Sequence, residues 1–145
     1  NYQINTFQDS LPPALPVTAD FTANDIYEAR YMLAMFTFCK IATKGAFGDS
    51  AVKAGDYGRP PPVLVFEYMG DHMFNKVPVI VTSYSIQLPD EVDYVPVKVG
   101  DTVTHVPTRC NLMINLEPTF TPQKLRRKFN LDALTSGEAY KDGFI

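Results

Sequence analysis

Between positions 24 and 44 the sequence predicts a helix that is apolar on more than one side. The segment lacks glycine and proline, and its acidic residues come early and its lysines late, an order that complements the helix dipole. Thr22 or Asn24 can cap its first amides, and Gly45 and Gly48 end it. We therefore predict a helix over 24–44. Its apolar residues are Ile26, Tyr27, Tyr31, Met32, Leu33, Met35, Phe36, Phe38, Cys39 and Ile41. This set is wider than the stripe that meets one sheet, so we expect a sheet and a neighbouring subunit to cover it.

Later in the chain the hydrophobic period falls to two, which predicts strands. The segments are rich in Val, Ile, Tyr and Phe and are bounded by Gly, Asp, Asn or Pro. They cover 62–69, 77–88, 92–99 and 109–118. In the second segment we place Ile80, Thr82, Tyr84, Ile86 and Leu88 on one face and Val79, Val81, Ser83, Ser85 and Gln87 on the other. One buried and one more polar face favour antiparallel pairing. The predicted class is α+β, mainly β: an antiparallel β-sandwich or small barrel flanked by one long helix.

Proline-rich and glycine-rich segments separate these elements. Three prolines near the start predict an extended arm over 1–23, and the turn-rich stretch 45–62 predicts a long surface loop. After the last strand we expect a short basic helical turn from Pro122 to Phe129 and then a coil tail. The chain is therefore predicted as one domain over 24–145 with extended arms at both ends.

Composition narrows the functional class. The 145 residues are 46% hydrophobic with a net charge of −3, which suits one compact domain and argues against a dedicated nucleic-acid binder. The longest strongly apolar stretch, Tyr31 to Cys39, is far shorter than the roughly 20 residues of a membrane span, so no membrane role is expected. The chain starts at Asn1 without a signal pattern, and we expect a further segment upstream.

Candidate catalytic and metal-binding groups are sparse. The phosphate-binding, hydrolase and metalloprotease motifs GxGxxG, GxxxxGK[ST], GxSxG and HExxH are absent. His72, His105, Cys39 and Cys110 have no short chelating spacing, and Cys39 lies in the most apolar part of the helix, where a thiol behaves as a small hydrophobe. We therefore expect no cofactor, no metal site and no enzymatic activity.

Two charged clusters remain. Asp90, Glu91 and Asp93 lie in a Pro-initiated turn and are interpreted as a solvated loop, with a glycosidase pair or cation site as the alternative. The one basic cluster is Lys124, Arg126, Arg127 and Lys128. It is interpreted as a solvated helix face or a subunit salt-bridge patch, and the alternative is contact with nucleic acid or with a partner's acidic surface.

Several strings, ordered along residues 25 to 145, resemble tail structural proteins of contractile-tailed bacteriophages (myoviruses). They are YEARYMLAMFTFCKIATKGAFG, PPPVLVFEYMGDHMFNKVPVIVTSYSIQLPDEVDYVPV, THVPTRCNLMINLEPTFTPQKLRRKFNLDAL and the closing GFI. The sequence is most similar to the baseplate hub and tail-tube-initiator group, whose members carry a tail-tube-like domain.

The resemblance implies a structural virion protein of the tail or baseplate, assembled in the bacterial host cytoplasm. Such a subunit forms a homo-oligomeric, hexameric ring that joins the baseplate to the tail tube, contacts neighbouring tube, hub and baseplate proteins, and lines the DNA ejection channel without binding DNA specifically. Subunits are expected to pair through 77–88 and 109–118 and to touch through the 45–62 loop. The predicted contact residues are Tyr31, Met35, Phe47, Tyr57, Val79, Val81, Met113 and Phe144.

Two other functions stay open. A small β-sandwich binding module for carbohydrate or peptide would use exposed tyrosines as platforms, and the candidates are Tyr57, Tyr68, Tyr84 and Tyr94. An enzyme would use the 90–93 acids and would show glycan hydrolysis.

Overall fold

The computed structural model describes residue 9, residues 11–45 and residues 58–145. Across these residues the chain is mainly β with antiparallel sheets, which confirms the predicted α+β, mainly β class. The strands are β1 (Leu15–Thr22), β2 (Leu64–Tyr68), β3 (Phe74–Gln87), β4 (Tyr94–Val99), β5 (Thr102–Pro107) and β6 (Arg109–Pro118). The helices are α1 (Ile26–Ala42), α2 (Pro122–Lys128) and α3 (Leu131–Ser136), followed by a 3₁₀ turn at Glu138–Asp142.

Four of the strands form one sheet in the order β1-β6-β3-β2, and each neighbouring pair is antiparallel. β4 and β5 form a separate antiparallel hairpin. β6 is paired with β1 on one side and β3 on the other, whereas β3 pairs with β2 through its first half and with β6 from Val79 onward. β1 and β2 are the outer strands of the sheet.

The predicted N-terminal arm differs from the structure at residues 15–22, which form β1. Leu15 lies opposite Leu116 and Phe21 opposite Cys110. Half-buried and exposed positions alternate along the strand, so its apolar side chains share one face of the sheet. Pro16 is tolerated because an outer strand can lack an amide donor.

A β-bulge in β3 moves the buried face from one set of positions to the other. Val81 lies opposite Leu116 and Ser83 opposite Asn115, so Thr82 is an extra residue. The Thr82 hydroxyl donates to the Asn115 carbonyl at 3.1 Å. Before the bulge the odd-numbered valines are buried, and after it the half-buried side chains are even-numbered, Tyr84 and Ile86. The prediction that Ile80 and Tyr84 lie on the same face of β3 is therefore wrong. The inserted residue Thr82 reverses the alternation of faces between them.

Two further parts of the chain differ from expectation. β5 was not predicted, although it completes a hairpin whose turn uses Gly100 at a φ of 60°. The C-terminal segment, predicted as an extended arm, instead contains α2, α3 and the 3₁₀ turn. Its end packs on the domain, since Phe144 is buried and Ile145 packs against the sheet-side cluster that includes Val77, Val79 and Val81. Gly143 permits this close approach, since an added Cβ would lie 2.5 Å from the Lys76 carbonyl oxygen.

The interior has two clusters. The first, here called the hairpin core, joins α1, the hairpin and the start of β6, and comprises Ala23, Ala29, Met32, Val97, Val106 and Cys110. The second, here called the sheet core, joins the end of α1 to the sheet, and comprises Ala42, Val77, Val79, Val81 and Leu116. α1 therefore crosses from one cluster to the other and ties the hairpin to the sheet.

Candidate functional site

Helix α1 starts and ends with local hydrogen bonds that fix its position. The Asp25 carboxylate accepts a hydrogen bond from the Glu28 amide at 2.8 Å, and the Glu28 carboxylate accepts one from the Asn24 amide at 2.7 Å. This reciprocal arrangement satisfies amides that the helix leaves unpaired. At the other end the Thr43 amide donates to the Cys39 carbonyl. The observed helix is two residues shorter at each end than the predicted one.

One face of α1 is used inside the chain. Ala29 and Met32 belong to the hairpin core and Ala42 to the sheet core, and Cys39 is also buried. The Cys110 thiol lies 3.7 Å from the Met32 sulfur. This face accounts for the attachment of the helix to the strands.

The opposite face of α1 is apolar and uncovered among the described residues. Its four large side chains recur at helical spacing, and their exposed fractions are 77% for Tyr27, 66% for Tyr31, 45% for Phe38 and 63% for Ile41. We call these four residues the outer stripe. Beside it lies a shallow cavity of about 540 Å³, lined on the hairpin side by Lys98 and Val99. A contiguous apolar surface of this kind is typical of a contact with another molecule.

The outer strands of the sheet offer a second contact surface. β1 pairs only with β6 and β2 only with β3 among the described strands, so each has one edge of backbone groups without a strand partner. Val63 and Val65 are exposed near the β2 edge. Unpaired edges of this kind are templates for strands of another chain.

The inner face of the sheet is also incompletely covered. A groove of about 470 Å³ lies between β1 and β2 and is lined mainly by apolar side chains, including Leu15, Val17, Phe66, Tyr68 and Phe74. Phe66 packs against Phe74 with ring centroids 5.3 Å apart. The rim of the sheet core therefore stays open on this side in the described chain.

The C-terminal helices surround a third apolar surface, here called the α2 groove. It has a volume of about 480 Å³ and is lined by Phe120, Leu125, Phe129 and Leu134, with Leu11, Pro12 and Pro13 at its rim. Three phenylalanine rings meet here, because Phe144 stacks on Phe120 at 5.0 Å and meets Phe129 edge-on at 5.5 Å.

The predicted basic cluster lies on α2 beside this groove. Lys124 is over the Phe120 and Phe144 rings at 5.6 and 5.5 Å, and Lys128 forms an ion pair with Asp142. Arg126 and Arg127 are exposed, and neither forms an ion pair or hydrogen bond with any residue that the structure describes. Among the described residues, two of the four cationic side chains therefore have a partner within the chain, and Arg126 and Arg127 have none.

The predicted contact residues fall into three groups. Tyr31 is exposed in the outer stripe, whereas Met35 and Met113 are half-buried. Val79, Val81 and Phe144 are buried in the chain's own interior, because β3 is a central strand and the C-terminus folds back onto it. The structure therefore differs from the expectation that these three side chains face a neighbouring subunit. Phe47 and Tyr57 lie outside the described residues.

Pairing between subunits through 77–88 and 109–118 stays a prediction: β6 is paired with β1 and β3 along most of its length, whereas residues 80–87 of β3 have no described strand partner on the β2 side. The predicted contact residues do not include Tyr27, Phe38 and Ile41, although their spacing with Tyr31 follows the helical period and indicates a stripe on one helix face.

Chemically reactive groups do not converge in the described residues. No group of three or more His, Cys, Asp or Glu side chains lies close enough together there to hold a metal ion. Burial raises the pKa of the Cys39 and Cys110 thiols, and the charge of Asp20 adds to this effect at Cys110, so both thiols are poor nucleophiles. His72 packs edge-on against Tyr140 at 6.3 Å. None of the described helices is both long enough and apolar enough to cross a membrane.

Comparison of the chain with family models, with curated proteins and with solved structures returned no match. The candidate site is therefore defined by its surfaces: the outer stripe, the free strand edges and the two apolar grooves.

Proposed function

We propose that the chain is a structural subunit that assembles with copies of itself, as a ring of the baseplate hub or tail-tube junction of a contractile phage tail. The observation that carries the proposal is the outer stripe. Burying a fully exposed side chain of this size contributes about 1.5–3 kcal/mol, and the described chain leaves between 45% and 77% of each of the four exposed. Assembly with other copies would bury these side chains and gain that free energy.

The sheet supports lateral growth. Successive strands in the order β1-β6-β3-β2 alternate in direction, so β2 of one copy runs antiparallel to β1 of a neighbour placed beside it. Pairing these edges would continue one antiparallel sheet from copy to copy, and a closed ring of such pairs is a barrel without edges. This heterologous contact fits a ring that closes, and it is how the tail-tube-like barrel would arise.

The phage class rests on the ordered sequence resemblance over residues 25 to 145. The net charge of −3 also suits a channel through which DNA must pass without being held. In this role the protein is not an enzyme and needs no cofactor. Its partners are further copies and the adjoining tube, hub and baseplate proteins, and its location is the virion.

The experiment combines sedimentation velocity with negative-stain electron microscopy of the purified chain. We expect rings in the wild type, and in the Tyr31→Glu variant a shift to smaller species with unchanged circular dichroism. The matched control is Tyr94→Glu, because Tyr94 is similarly exposed but lies on β4, away from the stripe. A wild-type chain that stays monomeric at every concentration reached would refute the proposal.

A second candidate function is favoured by the groove between β1 and β2. Tyr68, Phe66 and Phe74 give it an aromatic wall, as expected for a small binding module that takes a peptide or carbohydrate. The other exposed tyrosine of that hypothesis, Tyr94, lies in the separate hairpin, so the two rings do not share one platform strand. Saturable binding of a peptide or glycan by the monomer, lost in Tyr68→Ala, would support this alternative.

A further inference from the structure

The length of the outer stripe limits which surface can cover it. Tyr27 and Ile41 mark its two ends on α1, and the residues between them span roughly 21 Å along the helix axis. α2 and α3 have only 7 and 6 residues, so neither follows the whole stripe. Among the described helices, α1 itself is the one that exposes apolar side chains over this length. A second copy of α1 therefore matches the stripe from end to end.

The exposed area of the stripe fits a contact between two copies. An aromatic side chain buries about 150–250 Å² when it is fully covered. At their exposed fractions, the three aromatic side chains and Ile41 together offer roughly 500 Å² per copy. Two facing stripes would bury roughly 1,000 Å², which lies at the lower limit for a specific protein contact. The area is thus sufficient for a reversible pair of copies.

The middle of the stripe is occupied by a small side chain. Ala34 is exposed and lies between Tyr31 and Phe38, while Tyr27 and Ile41 are equally far from it in the sequence. The stripe therefore has two large side chains on each side of a small one. A two-fold axis at Ala34 brings the large side chains of one copy onto those of the other. The small residue at the crossing point lets the two helix axes approach to about 8 Å.

The charges of α1 select the relative direction of the two helices. Asp25 and Glu28 lie at its start, and Lys40 and Lys44 lie at or just beyond its end. A parallel pair would bring like charges and like ends of the helix dipoles together. An antiparallel pair brings the acidic start of one helix beside the basic end of the other, and it opposes the two dipoles. The antiparallel arrangement is the one that a two-fold axis perpendicular to α1 produces.

We propose that two copies of the chain pair through α1, with the helices antiparallel and crossing at Ala34, so that Tyr27 of each copy lies against Ile41 of the other. The contact is isologous and closes on two copies. It rests on the outer stripe that carries the proposed function and deepens that function by naming what covers the stripe. It uses neither β1 nor β2, so the outer strand edges stay available for lateral contact.

Opposite charges placed at Ala34 test the two-fold axis. In Ala34→Glu or Ala34→Lys alone, two like charges meet at the crossing point, and the dissociation constant of the pair should rise about tenfold or more. An equimolar mixture of the two variants should restore the pair, because opposite charges then meet. Sedimentation equilibrium measures the association, and circular dichroism should be unchanged because Ala34 is exposed. The matched control is Tyr94→Glu, which should associate like the wild type.

Distances between spin labels give a readout of helix direction. Glu28→Cys and Lys40→Cys are labelled separately in the Cys39→Ala, Cys110→Ala background and measured by dipolar electron spin resonance. In the antiparallel pair, position 28 of one copy is level with position 40 of the other, whereas two labels at the same position are roughly 18 Å apart along the axis. A mixture of the two labelled proteins should therefore show a shorter distance than either protein alone.

The outcomes separate this contact from the proposed function. Rings in which the mixed labels show no short distance overturn the α1 contact alone, whereas paired copies that never form rings refute the proposed function alone. The inference also fails if the mixture of Ala34 variants associates as weakly as its components. It fails equally if each labelled protein alone gives the shorter distance, or if Tyr94→Glu weakens the pair as much as Ala34→Glu does.

Discussion

The hairpin core and the sheet core are built from the same residue types but are covered to different extents. The hairpin core is enclosed between β6, the β4–β5 hairpin and the first half of α1, and its six residues are at most 1% exposed. The sheet core meets only the end of α1 and the C-terminal residue among the described parts, and its rim forms an open groove. One half of the domain is thus complete within the chain, and the other presents apolar surface at the edges where copies are proposed to join.

The largest expected effect tests this contrast directly. Met32→Ala removes a fully buried side chain from the hairpin core and should lower the free energy of unfolding by about 2–5 kcal/mol. Val17→Ala at the rim of the open groove should cost only about 1 kcal/mol, since water already reaches the side chain. Urea denaturation of the monomer measures both. Equal costs would show that the groove is as well covered as the hairpin core.

A somewhat smaller effect is expected where the C-terminus docks against the sheet core. Gly143 has a φ of 78°, and a Cβ there would lie 2.5 Å from the Lys76 carbonyl oxygen, so Gly143→Ala combines backbone strain with a clash. We expect a loss of about 2–3 kcal/mol in thermal unfolding.

The control for this substitution is Gly100→Ala. Gly100 also has a positive φ, of 60°, but an added Cβ would meet nothing within 4 Å. Its cost should therefore be about 1 kcal/mol, from backbone strain alone. If both variants lost the same stability, the close approach at Lys76 would contribute nothing.

A third prediction compares two helix caps. Asp25 caps α1, which both cores share, and Asn130 caps the exposed helix α3, where its side chain accepts from the Asp132 amide at 3.0 Å. Asp25→Ala should cost about 1 kcal/mol of global stability, because the whole domain needs α1. Asn130→Ala should change hydrogen exchange within α3 and leave the midpoint of global unfolding almost unchanged. A global loss in both variants would place α3 in the same cooperative unit as α1.

Much of this fold follows from local sequence rules. The glycine-free and proline-free run predicts α1 to within two residues at each end. The predicted strand 109–118 has the same bounds as β6, because its alternation is uninterrupted. The sequence of β3 also indicates that the buried positions change from odd to even numbers, since Val77, Val79 and Val81 are odd-numbered and Tyr84 and Ile86 are even-numbered. The prediction misses this change because it continues one alternation through Thr82, and no particular residue type marks a bulge.

The remaining differences depend on tertiary contacts. The prolines before and within residues 15–22 predict an extended, unpaired arm, yet an outer strand tolerates Pro16 when the strand pairs with β6. The same limit applies to Val79 and Val81: their apolar faces indicate burial, but only the strand order shows that the cover comes from the chain itself. Tyr31 is the opposite case: the sequence predicts a helix that is apolar on more than one side, and within the described chain the side that carries Tyr31 is left exposed.

The smallest expected effect concerns the two buried thiols. Burial raises the pKa of Cys39 and Cys110 above the ordinary value of 9.0, so the folded state favours their protonated form. Their contribution to stability is complete below that value and is lost as the pH rises through the raised pKa. The melting temperature should therefore fall as the pH rises above 9.0, and the Cys39→Ala, Cys110→Ala variant should show a smaller fall. Because both thiols lie along the closed face of α1, they should also resist a thiol reagent at about pH 8 until the protein unfolds. Rapid labelling of Cys110 in the native protein would mean that the hairpin core opens locally, and the contrast between the two cores would then be one of degree.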